Sequence, residues 1–274
     1  MRPTDAPTVP ELIDVWEATL LEPVTLCADL TDAQWHAPSL CPGWEVADVV
    51  AHMADIDATL AGLPRPDHEP DWDRLPHVAN EVGRFTEIAV DAARGSDPAD
   101  LLARLREVAA VRRAQLDALP VDAEVLSPFG RPTTLERLVR MRTFDLWAHV
   151  QDVRAGIGAD GGWGSDGAVV SFQQISRSLM VVWSSLDAPA GAVVHLVVTG
   201  PGIEADVWAS TDGAGRGAVS GPVPDPAVEL ELSWPDYALL SCGRITADET
   251  RAPVVMRGDA DLGGRLVAEL AITP

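Results

Sequence analysis

The chain contains no lysine: all 20 basic residues among its 274 are arginine, set against 42 acidic residues and a formal charge of −22. Schiff-base chemistry through a lysine amine is therefore excluded. So acidic a chain lacks the basic footprint that a nucleic acid or an anionic membrane requires, and an anionic substrate would have to meet a local group of arginines. Cysteine is scarce too. Cys27, Cys41 and Cys242 are odd in number and widely scattered, which leaves neither a disulfide framework nor a four-cysteine zinc cluster. No run approaches the roughly 20 apolar residues that span a bilayer, and Met1 to Trp16 has prolines and acids where a secretory leader needs an apolar core. A soluble, cytoplasmic protein of two domains is the expectation.

From Pro10 to about Gly156 the apolar residues recur at helical spacing, which predicts four or five helices. The first starts near Thr8 and carries Leu12, Trp16 and Leu20, with Pro23 expected to kink or interrupt it. The second follows Cys41-Pro42-Gly43-Trp44 and bears the stripe Val46, Val50, Met53 and Leu60. A third is expected through Val78, Val82, Phe85 and Ala89. A fourth opens on Asp97-Pro98, an N-cap followed by proline at the first helical position. Thr133-Thr134-Leu135-Glu136 reads as a capping box for the last helix of the block. After a glycine-rich link from Gly156 to Gly167, a helix is expected over about Ala168 to Ser185. Strands then follow at Val193 to Val198, Ala205 to Ser210 and Val228 to Ser233, with helical stretches at Pro235 to Cys242 and Asp261 to Leu270. The domains expected are residues 1–160, an all-α bundle, and 161–274, a smaller α+β domain.

The chemistry concentrates in Met141 to His149. Asp145 and His149 stand four residues apart, so a helix points a carboxylate and an imidazole the same way. Both groups bind zinc, and three protein ligands with one vacant position make the catalytic rather than the structural arrangement. His52, at the margin of the second helix's apolar stripe, is the candidate third ligand. The ordinary alternatives are a surface hydrogen bond between Asp145 and His149, and a core-edge His52 satisfied by Asp48 or Asp55. Asp152, one turn beyond His149, is a candidate for orienting that imidazole from behind. His36, His68 and His77 fall in loop-like or helix-entry sequence, and His195 in an apolar strand.

The segment from Leu40 to Met53, with Cys41-Pro42-Gly43-Trp44 and His52, resembles the second-helix signature of the mycothiol-dependent maleylpyruvate isomerase family, a branch of the DinB-like metalloenzymes. Arg142-Thr143-Phe144-Asp145-Leu146-Trp147-Ala148-His149-Val150-Gln151-Asp152-Val153 resembles its second signature. Trp234 to Arg244 and Arg257-Gly258-Asp259-Ala260 are similar to the family's C-terminal, sterol-carrier-like α+β domain. The resemblance implies a four-helix DinB-like bundle holding a divalent metal, usually zinc, through His52, Asp145 and His149, with the second domain closing one side of the cleft. It also implies mycothiol, a low-molecular-weight thiol, as cofactor, and a small-molecule substrate. A metal-bound thiol loses its proton; the thiolate then adds to an electron-poor cis double bond for isomerisation, or attacks an electrophile in thiol transfer. Many relatives carry glutamate where this chain has Asp145, whose shorter side chain requires the helix or the metal to shift.

Two arginines complete the implied site. Arg244 matches a position where family members place an arginine near the cleft, as a clamp for a substrate or cofactor carboxylate; its ordinary role is at a helix C-terminus. Arg142, three residues before Asp145, either holds that carboxylate or contacts an anion. Trp44 and Trp147 are candidates to line the cleft or simply to pack. Two other classes stay open: a zinc hydrolase or lyase in which the metal activates water, and a non-catalytic ligand-binding module.

Overall fold

In the computed structural model, which describes residues 1–212 and 214–273, the chain separates into two compact units. One comprises Ala6–Gly162, the other Trp163–Pro274 together with Met1–Asp5. The division falls within the glycine-rich link.

The first unit is helical: α1 (Val9–Leu26), the short α2 (Asp32–Trp35), α3 (Val46–Leu60), α4 (Glu81–Ala93), α5 (Pro98–Asp117) and α6 (Leu135–Gly156). Helix α1 packs on α5 and α6, and α3 on α4, α5 and α6. Burial of Leu12, Trp16, Leu20, Val46, Val50, Met53, Leu105, Leu146, Val150 and Val153 forms the core. Each such side chain is worth about 1.5–3 kcal/mol on leaving water. The start signals act as expected where the side chain reaches the backbone: Thr8 and Glu11 form a reciprocal capping box on α1, and Asp97 accepts from the Ala99 amide ahead of α5.

Local readings fail in four places. Of the kink or interruption expected at Pro23, the interruption does not occur: α1 runs on to Leu26, with Pro23 itself buried. The cap of α6 is Thr134, accepting from the Arg137 amide, while Glu136 instead pairs with Arg140 at 3.0 Å. The box read at Thr133 and Glu136 is therefore one residue out of register. In α4 the buried positions are Thr86, Glu87, Ala89 and Val90; Val82 is exposed, and Val78 precedes the helix. Finally, the antiparallel ribbon of β1 (Glu124–Leu126) and β2 (Pro132–Thr134) has too few residues for an alternating pattern to be visible.

The second unit packs α7 (Asp166–Ser185), α8 (Trp234–Ser241) and α9 (Ala260–Ala268) on a five-stranded sheet. Its strands are β3 (Val193–Gly200), β4 (Ile203–Thr211), β5 (Gly217–Val219), β6 (Val228–Ser233) and β7 (Val255–Gly258), in the order β5-β4-β3-β6-β7. Among the described residues, the β3 and β6 pair alone is parallel. Alternation explains the layering: Val194, Leu196, Val198, Val228, Leu230 and Leu232 are buried on one face. His195 takes the other face, stacked on Trp208 at 3.8 Å and bound to Asp206 and Glu229. The α+β class inferred from the sequence is the one observed. Strands β5 and β7 add edges that were not foreseen, because they are short and carry little apolar alternation.

Gly156 shows why α6 can lie so close to α3. A Cβ there would sit 2.7 Å from Val46 Cγ2 and 3.1 Å from the Pro38 carbonyl oxygen. Gly156→Ala is expected to lower stability by about 1–3 kcal/mol through overpacking, read as a lower urea midpoint at unchanged slope; an unchanged midpoint would show that the helices have room to separate.

Candidate metal centre

Helices α3 and α6 supply the centre. His52 projects from the middle of α3 beside the buried Val49 and Met53, and Asp145 and His149 project one turn apart from α6. Their ligating atoms all lie within 4.8 Å of one another. His52 Nε2 is 3.9 Å from Asp145 Oδ2, and His149 Nε2 is 3.8 Å from Asp145 Oδ1. The two imidazoles meet edge to face, with centroids 4.6 Å apart. Separations of 3.8–3.9 Å exceed a hydrogen bond but approach the ~3.4 Å between two donors each about 2.1 Å from a tetrahedral zinc.

The ordinary partners proposed for His52 are engaged elsewhere. Asp48 accepts from the Glu45 amide and pairs with Arg94 at 3.3 Å, while Asp55 pairs with Arg65 at 2.9 Å. His52 Nδ1 is buried without a hydrogen-bond partner. The other four histidines outside the centre each meet a carboxylate: His36 with Glu45, His68 with Asp91, His77 with Glu87, and His195 with Asp206 and Glu229. Two imidazoles and a carboxylate whose ligating atoms converge are a donor set that fits a divalent cation such as zinc.

The electrostatics favour the coordinating protonation states. Burial, reinforced by His149, pushes the His52 imidazole down to about 3, so it is neutral at physiological pH. Burial opposes charge on Asp145, but Arg142, helped by His149 and His52, prevails and holds the carboxyl at about 2. Arg142 is itself buried; one guanidinium nitrogen binds Asp145 and the other binds Asp57 Oδ2 at 2.8 Å. Asp57 also accepts from Trp16 Nε1 at 3.2 Å. Of the two roles open to Arg142, holding the Asp145 carboxylate is the one its geometry displays.

Behind His149, Nδ1 lies 2.9 Å from Oδ2 of the fully buried Asp152, which leaves Nε2 facing the centre. Trp44 flanks both imidazoles, with centroids 5.0 Å from His52 and 6.2 Å from His149, and donates to Glu87 at 2.8 Å. Trp147 is a packing residue, buried with its indole directed to the Gly162 carbonyl. Arg244 belongs to the second unit, just past α8, where its guanidinium donates to the Cys242 carbonyl at 2.9 Å. Asp57, Glu87 and Cys41, whose Sγ lies 3.1 Å from Asp152 Oδ2, escaped the sequence reading; no local spacing links them to the residues they touch.

Residues 22–154 match the family described as the mycothiol maleylpyruvate isomerase N-terminal domain. Two uncharacterized proteins, from two strains of Mycobacterium tuberculosis, are 30% identical over 135 residues, covering 48% of this chain and 51% of each relative. The chain thus spans about half the length of the curated relatives it matches. A crystal structure of a mycothiol-dependent maleylpyruvate isomerase aligns at a TM-score of 0.53 and 17% identity, covering 95% of this chain and 97% of that one. A histidine-to-alanine mutant described under the same name aligns at 0.56 and 17%, covering 92% and 98%. At such identity the likeness is one of fold. Among the described residues no helix is long and apolar enough to cross a membrane.

The depressed His52 sets a pH dependence for the metal-free protein. Unfolded, this imidazole takes up a proton as pH falls through 6.5; folded, it resists until about 3. The unfolded state therefore binds more protons across that window, and stability is lost as pH falls from 6.5 towards 3. His52→Leu is expected to flatten the stability profile between these limits by up to ~1.4 kcal/mol per pH unit. An unchanged slope in chemical denaturation would show that His52 titrates normally in the fold.

Proposed function

We propose, from the match of residues 22–154 to the mycothiol maleylpyruvate isomerase N-terminal-domain family, that the chain is a metal- and mycothiol-dependent enzyme acting on a small electrophile. The reaction is cis–trans isomerisation or transfer of the thiol. One observation carries the metal reading: His52, Asp145 and His149 converge from two helices, with His52 Nε2 and His149 Nε2 both directed at the Asp145 carboxylate. The thiol reading is supported by the names of the similar structures, which describe mycothiol-dependent isomerases.

A divalent metal held here, such as zinc, would make a thiol ionise at neutral pH. The protein's own contribution is to hold and to shield. His52 and His149 present imidazole nitrogens and Asp145 an ionised oxygen, three protein ligands that leave a fourth position open. Arg142 keeps the Asp145 carboxylate from swinging away, and Asp57 fixes the other side of the buried guanidinium with a second charged hydrogen bond. In this reading Arg142 serves the thiol cofactor only through Asp145. The indole of Trp44, tethered by Glu87, covers one side of the imidazole pair and restricts water. Arg244 is proposed as the clamp for an anionic group of the substrate or cofactor, through a charge-assisted hydrogen bond.

Turnover of a defined electrophile with mycothiol is expected to vanish in His52→Ala and His149→Ala, with circular dichroism unchanged because Val46, Val50 and Met53 remain in the core. Arg244→Ala is expected to raise KM by the equivalent of about 1.5–3 kcal/mol while sparing most of kcat. Full activity in the absence of any thiol would overturn the cofactor assignment and favour metal-activated water.

A further inference from the structure

We propose that Cys41 is a positioning residue, whose thiol fixes Asp152 and through it the orientation and tautomer of His149. The inference rests on the reading of His149 as a metal ligand. Three observations carry it. Cys41 is 8% exposed, and its Sγ stands 3.1 Å from Asp152 Oδ2, the same oxygen that lies 2.9 Å from His149 Nδ1. The thiol and the imidazole N–H therefore both donate to one oxygen of a carboxylate with no solvent exposure. Cys41 Sγ also stands 3.8 Å from His149 Nδ1, a long sulfur contact, and the 3.1 Å contact makes Asp152 the thiol's nearer partner.

The loop that carries Cys41 is built to hold it still. Pro42 and Gly43 occupy the centre of a tight turn closed by the Trp44 amide on the Cys41 carbonyl at 3.1 Å, with Gly43 at φ 77°. Ser39 Oγ accepts from the Cys41 amide at 3.1 Å and donates to the Trp44 carbonyl at 2.9 Å. A side chain at Gly43 could not be accommodated, since its Cβ would come within 2.3 Å of the His77 ring. The loop thus places a thiol behind His149 and an indole beside it.

Cys41, His149 and Asp152 are also close enough to form a second donor group for a cation. Separations of 2.9 and 3.1 Å to Asp152 are hydrogen-bond lengths, however. They place protons rather than a cation between these atoms. The thiol is a donor to the carboxylate, and the proton on Nδ1 leaves the Nε2 lone pair directed at the metal.

Cobalt(II) titration of the metal-free full chain, by competition with a chelator, tests the relay. Asp152→Asn is expected to weaken cobalt binding ~10- to 100-fold, as loss of a partner behind a ligand does. Cys41→Ala should weaken it ~3- to 10-fold, while Cys41→Ser, whose hydroxyl still donates, should stay within ~2-fold of the wild type. In the Asp152→Asn background Cys41→Ala should have no further effect. A metal-independent arm follows exchange of the His149 Nδ1 proton by NMR in the metal-free protein; it should be at least ~10-fold faster in Cys41→Ala than in wild type or Cys41→Ser. Wild-type cobalt affinity and exchange in Cys41→Ala, strictly additive effects with Asp152→Asn, or a thiolate-to-cobalt charge-transfer band would each overturn the relay. Failure of the wild type to bind cobalt at all would instead remove the metal reading, and the relay with it.

Discussion

A buried guanidinium between two carboxylates fixes the geometry on which the site depends. Arg142 of α6 binds Asp57 of α3 and, one turn along its own helix, Asp145; Asp57 in turn accepts from Trp16 of α1. Three helices are thereby tied at one level of the bundle. Exposed pairs such as Arg113 with Asp117 contribute below ~1 kcal/mol, whereas removing one member of a buried pair leaves an uncompensated charge at about 3–5 kcal/mol. The Arg142 and Asp57 pair belongs to the second class. It holds α3 and α6 in the register at which His52 and His149 face each other, and it pins the Asp145 oxygen between them.

Around that fixed level the polar groups are layered by role. The three candidate donors face one another: an imidazole kept neutral by burial, a carboxylate kept ionised by Arg142, and a second imidazole whose rear nitrogen is engaged by Asp152. Behind them stand Asp57, Asp152 and Cys41, which hold the donors. Trp44 then closes one side, with Glu87 fixing the indole. Each layer removes a degree of freedom from the one in front. That is the preorganisation a metal site needs, so that ligand atoms do not have to be gathered at binding.

What could be read in the sequence follows the range of each interaction. The Asp145 and His149 spacing is a helix-face relation, legible wherever helix periodicity is, and Asp152 belongs to the same short range. His52 was a candidate from its place on the second helix, but nothing in its own segment separates a ligand from a core-edge histidine, and the resemblance is what favoured the ligand. The engagement of Asp48 with Arg94 and of Asp55 with Arg65 is what leaves His52 unpaired, and those contacts exist only in the fold. Cys41 is more than a hundred residues from Asp152, and their contact is a property of the packed bundle. At the level of elements, the long helices and apolar strands were legible, whereas Pro23 within α1, the Thr134 cap and the short strands β1, β2, β5 and β7 were decided by packing and edge pairing.

X-ray absorption at the zinc edge of the loaded protein gives the most direct test of the centre. The geometry predicts a first shell of two imidazole nitrogens and a carboxylate oxygen at about 2.0–2.2 Å, with the imidazole scattering diminished in both His52→Ala and His149→Ala. A sulfur ligand at about 2.3 Å would place the metal with Cys41 and Asp152 instead, and a shell of light atoms unchanged by either substitution would contradict a site formed by His52, Asp145 and His149.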